Sequence, residues 1–119
     1  MNSTYLKILA VLLLIIGESL SIYAEMVSAR SVNLSKNPLL FVFLKMFLMM
    51  TVAGGFLLLG YILGFGAFKN IWIVSVASIT SILVVEPILA WTMFRQIPTI
   101  GAIIGLALGV IGFVVAMIF

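Results

Sequence analysis

The chain has 119 residues, 66% of them hydrophobic and 8% charged, with six basic and three acidic side chains, no histidine and no cysteine. A soluble domain of this length needs polar residues over its surface, so the composition points to an integral membrane protein. Without cysteine there is no disulfide or thiolate chemistry. The net charge of +3 comes from Lys7, Arg30, Lys36, Lys45, Lys69 and Arg95. These mostly flank apolar segments and do not form the exposed basic cluster that nucleic acid requires.

Four apolar segments are predicted to be helices, over residues 5–29, 39–64, 71–94 and 100–119. Each has about the 20 residues needed to cross roughly 30 Å of hydrocarbon. The alternating ten-residue pattern of a membrane barrel is missing. The expected fold is therefore an all-α membrane protein: one domain, residues 1–119, of four transmembrane helices with both termini on the same side. The connections, residues 30–38, 65–70 and 95–99, are too short to hold a soluble domain.

Lys7 and Lys69 mark the terminal side, while Arg30, Lys36 and Arg95 mark the other, toward which Lys45 can snorkel. So weak a bias permits insertion in both orientations, or in one orientation set by a single extra base.

The first segment contains LLIIGESLSIYAEM, residues 13–26, with two glutamates in an apolar run. It is read as a retained crossing and not a cleaved leader, because the apolar pattern continues past Ile22-Tyr23-Ala24 and Ile22 is bulky at the would-be cleavage site. Glu18 lies near mid-helix, where a charge costs roughly 2.5 to 3.5 kcal/mol to insert and each Leu, Ile or Val offsets only about 0.3 to 0.6. At about 100° per residue, Ser21, Glu25 and Ser28 fall within about 80° of Glu18, so one polar stripe runs along the helix and is expected to face protein or water. Glu25 reads as an interfacial carboxylate beside Arg30. Glu18 reads as a group that takes up and releases a proton in mid-membrane, the alternative being a neutral carboxyl that bonds helices together.

Lys45 enters the second segment about two turns deep and is expected to snorkel outward rather than pair with Glu18, Glu25 or Glu86. Met46, Met49 and Met50 read as adaptable packing residues. In the third segment, Glu86 precedes Pro87, whose missing N–H frees the carbonyl of Leu83 and favours a bend, an arrangement suited to a cation or proton site. Ser75, Ser78 and Ser81 recur at three-residue spacing with Thr80 adjacent. Taken one at a time, such serines pack helices closely and bond back to their own chain. The candidate proton and substrate-binding residues are Glu18, Glu86, Ser21 and Ser78.

The fourth segment, IGAIIGLALGVIGFVVAMIF, carries no charge, and Gly101, Gly105, Gly109 and Gly112 form a small-residue ladder of the kind that lets two membrane helices approach closely. A second copy of the helix, or the third helix, can occupy that ladder.

The stretch WTMFRQIPTIGAIIGLALGVIG, residues 91–112, resembles the end of the third helix and the fourth helix of small multidrug resistance transporters, within the drug/metabolite transporter superfamily. The resemblance rests on Trp91, the Phe94-x-Gln96 turn, Ala102-Ile-Ile-Gly105 and the glycine heptad from Gly105 to Gly112. It implies that the heptad is a dimer contact. It also implies that Glu18 takes the place of the family's membrane-embedded glutamate, which binds proton and cationic substrate in turn. Three features differ: Ser75 and Ser78 stand where the family has a tyrosine and a tryptophan, Met26 stands where it has a base, and Glu86 has no counterpart. The small subunits of a two-chain flippase for an aminoarabinose-linked lipid carrier, in the same superfamily, are similar through a Gly-Gln pair near Gly17-Glu18.

With no histidine or cysteine, no phosphate-binding glycine loop and no metal-ligand cluster, an enzyme is not expected, nor is a cofactor or metal. The expected function is a proton-coupled secondary transporter, an exporter of a small cationic or amphipathic solute. It would act as a parallel or antiparallel homodimer in the lipid of the cell's inner membrane, because four helices are too few for two repeats around a midplane pathway. The alternatives are a lipid-carrier flippase subunit or a non-transporting assembly subunit.

Overall fold

The computed structural model describes residues 3–34 and 38–119. Four helices follow in order: α1 (Ser3–Leu34), α2 (Leu39–Phe68), α3 (Ile71–Phe94) and α4 (Ile100–Ile118). All four are long and apolar enough to cross a membrane, so this is a multi-pass membrane protein. Lys36, counted above among the flanking bases, lies outside the described residues.

The bounds of α3 agree with the expected segment, and α4 differs from its own by the final residue, but α1 and α2 run longer than apolarity alone implied. In α1 the helix continues past Arg30 and Ser31, because polar residues at a membrane surface do not break helical backbone hydrogen bonding. In α2 the expected turn at residues 65–70 shrinks to Lys69 and Asn70. Gly66 stays helical, and the chain reverses only where Lys69 takes a left-handed conformation, φ 56°, and donates its N–H to the Phe65 carbonyl at 2.8 Å. Asn70 then caps α3, its Oδ1 accepting from the N–H of Trp72 at 2.9 Å. The α3–α4 connection repeats the arrangement, with Arg95 left-handed at φ 57° and Thr99 Oγ1 accepting from the N–H of Ala102 at 3.1 Å.

Helix α1 is the centre of the bundle, packing along both α2 and α3. Among the described residues α4 packs on α3 alone. Helices α1 and α2 are antiparallel. Gly17 faces Leu57 and the Ala53 carbonyl, Gly60 faces Leu14, and the Lys7 ammonium sits 5.4 Å from the centre of the Phe68 ring. At the other end Ala24 packs with Val42 and Met46, and Met49 lies against them, the packing role expected of those methionines. Gly64 accepts Val74 of α3 at the same crossing as Ala10. Small residues therefore hold α1, α2 and α3 together, as expected where lipid removes the hydrophobic drive between helices and close van der Waals contact has to replace it. Lys45 is exposed on the outside of α2.

A candidate membrane-embedded carboxylate site

Hydroxyl groups on these helices mostly satisfy themselves locally. Ser28 donates to the Ala24 carbonyl, Thr51 to Phe47, Thr80 to Val76, Ser81 to Ala77 and Thr92 to Ile88, each one turn back at 2.6 to 3.0 Å. Ser78 does otherwise. Its Oγ donates to Glu18 Oε1 at 2.6 Å, crossing from α3 to α1. Ser78 is buried and Glu18 half-buried, so the pair sits inside the helix packing while the glutamate as a whole keeps some exposure.

Sequence position explains why these two meet. Gly17, immediately before Glu18, has no side chain and lets α2 come within contact distance of α1 on one flank. Glu18 is turned toward α3 on the next. Ser21, one turn along the polar stripe, is buried as well. Among the described residues Glu18 has no partner besides Ser78, so its second oxygen is open to a proton, water or a cation.

The other expected polar residues lie elsewhere. Glu25 is exposed and lines an apolar groove of about 610 Å³ between α1 and α2, with Phe43, Met46 and Phe47 among its walls. No ion pair joins it to Arg30 among the described residues, because five residues along a helix place the two about 140° apart around the axis.

Glu86 is not brought to Glu18. It stands eight residues beyond Ser78, about 12 Å further along α3. There it lines a separate groove of about 740 Å³ formed by α3, α4 and Met26 of α1, whose walls include Pro87, Trp91, Phe94 and Gln96 but none of Glu18, Ser21 and Ser78. Pro87 lies inside an otherwise continuous α3.

The glycine ladder of α4 is divided. Gly109 faces Leu83 of α3, whose Cδ2 would lie 3.0 Å from an added Cβ, while nothing stands within 4 Å of the corresponding point at Gly105 or Gly112, and only the chain's own Thr99 hydroxyl nears Gly101. No residue of α4 is buried. Single-helix reading missed the roles of Gly17, Gly60 and Gly64 in packing α1, α2 and α3, although their small size in apolar segments was a usable signal.

Comparisons with protein-family models, with curated proteins and with solved structures give no match to this chain.

Proposed function

We propose that the protein is a gradient-driven secondary transporter that exchanges protons for a small cationic or amphipathic solute, with Glu18 as the group the two share. The observation that carries this reading is the Glu18–Ser78 bond. A carboxyl in the middle of a crossing is held by one oxygen in an internal polar pair and left open at the other, the arrangement a reversible proton or cation site needs. Ser78 orients the carboxyl and supports its charge when the proton leaves, and Ser21 adds a second hydroxyl along the same face. Proton and solute then compete for one oxygen, which makes their movements exclusive and therefore coupled.

In this reading the transporter is a homodimer. Four helices supply one half of a pathway, and α4 leaves Gly105 and Gly112 uncovered for a second copy. The partial likeness of residues 91–112 to small multidrug resistance transporters supports the same arrangement, with the inner membrane of the cell as its location. The bare α4 equally suits a non-transporting assembly subunit or one half of a lipid-carrier flippase, each of which needs a different chain beside it.

The deciding experiment uses the pure protein alone in proteoliposomes carrying a pH gradient, with a panel of guanidinium, quaternary ammonium and polyamine solutes. Coupled uptake of a cation, abolished in Glu18→Gln while the folded assembly persists, is the expected result. Coupled flux retained in that variant rejects the assignment of Glu18, and no flux for any solute favours the assembly or flippase readings.

A further inference from the structure

The groove formed by α3, α4 and Met26 of α1 contains Glu86, an acid in a membrane-spanning helix that the Glu18 pair does not use. Glu86 is exposed, lies within a helix apolar enough to span the bilayer, and among the described residues has no hydrogen bond or ion pair. A carboxylate in that position is costly unless a cation or a donor meets it. The walls of the groove supply no cation, since no lysine or arginine lines it, and their side-chain donors are neutral: the Gln96 amide, the Trp91 indole and the Thr99 hydroxyl, whose oxygen also accepts from the Ala102 N–H in the α4 cap. Beyond these the walls supply apolar area, from Leu83, Pro87, Trp91, Phe94, Ile97 and Leu106. Pro87 adds one more acceptor, because it has no N–H for the carbonyl of Leu83 in the same wall. The volume, about 740 Å³, is within the range of sites that enclose a small organic molecule.

We propose that this groove is a second binding site, separate from Glu18, for a hydrophobic organic ammonium, whose cationic head pairs with Glu86 and whose apolar body lies against Trp91 and Phe94. The charge selects a cation, the indole and phenyl rings favour an alkylammonium over a hydrated metal ion, and the lack of polar lining beyond a few groups selects an apolar tail. The inference does not depend on transport.

Trp91 reports occupancy directly. The chain has two tryptophans, and the other, Trp72, lies at the far end of α3, so a Trp72→Phe background leaves Trp91 as the sole indole. The full-length protein in phospholipid nanodiscs is titrated with a bromine-tailed dodecyltrimethylammonium, with a bromine-tailed dodecanol as the neutral control. The expected result is saturable quenching by the ammonium and only gradual, non-saturating quenching by the alcohol. Glu86→Gln should raise the half-saturating concentration about tenfold or more, as removal of one partner of a desolvated charge pair does. Glu86→Asp should bind close to the parent, and Glu18→Gln should leave the titration unchanged.

Equal quenching by ammonium and alcohol in the parent protein overturns the proposal, and needs no variant to fold. So does an unchanged titration in Glu86→Gln, a loss found in Glu18→Gln instead, or a Trp91 shielded from both probes, which would place another copy of the chain in the groove. Because binding is read here and flux above, failure of one leaves the other standing.

Discussion

Ser78 Oγ and Glu18 Oε1 lie 2.6 Å apart, although Thr80 and Ser81 on the same stretch of α3 turn their hydroxyls back onto the helix. A serine that bonds to its own chain does little for its neighbours. One that reaches across an interface fixes both the orientation of the acid and the register of two helices. Ser78→Ala is therefore expected to cost about 1 to 2 kcal/mol of bundle stability through an unsupported polar group, and to weaken proton-linked flux in proteoliposomes. Ser81→Ala, which removes only a local bond, should leave flux at the parent level. Equal effects of the two substitutions would mean that Ser78 has no special relation to Glu18.

The contact that places this pair is made by glycine. A Cβ at Gly60 would stand 2.8 Å from Leu14 Cδ2, and Leu14 is 1% exposed, with no room to retreat. A Cβ at Gly17 would meet Leu57 at 2.8 Å and the Ala53 carbonyl at 3.1 Å, so backbone as well as side chain resists it. Gly60→Ala and Gly17→Ala should each destabilise the α1–α2 interface by about 1 to 3 kcal/mol. Gly55→Ala meets nothing within 4 Å and should be neutral or slightly stabilising. Denaturant titration in mixed micelles, followed by helical circular dichroism, separates these outcomes.

How far the sequence reached depended on whether a feature belongs to one helix or to two. Helix number follows from apolar length, and the start of α3 follows from where the apolar run resumes at Ile71. The end of α2 did not follow. Gly66 looked like a turn, whereas the reversal falls at Lys69, a residue type that seldom adopts a left-handed conformation. Angular arithmetic on α1 put Glu18 on a polar stripe, and three-residue spacing put Ser78 on one face of α3. That the two faces meet, and that Glu86 lines a separate groove beside α4 instead, is set by which helices are neighbours, and no periodicity within a single segment carries that information.

The two left-handed cap residues and the side chains after them fix short connections that hold consecutive helices close. Asn70→Ala removes the acceptor of the Trp72 N–H, and Thr99→Ala removes that of Ala102. Each should lower stability by about 1 kcal/mol. Asn70→Asp and Thr99→Ser keep an acceptor in place and should stay close to the parent in a thermal melt.

The division of the α4 ladder separates packing within the chain from association between chains. Gly109 is spent on Leu83 of α3, whereas Gly105 and Gly112, within about 20° of each other around the helix axis, are uncovered. If a second copy sits parallel on that open face, Gly112→Cys in this cysteine-free chain should cross-link to a dimer under mild oxidation, and Gly105→Ile should abolish the cross-link without unfolding the monomer. Gly109→Ile should instead loosen α4 from α3 in each copy, read as faster protease cleavage in the connection at residues 95–99. Failure of Gly112→Cys to cross-link either to itself, as a parallel pair requires, or to Gly105→Cys in mixed copies, as an antiparallel pair requires, would show that α4 faces lipid and that any dimer forms through another helix.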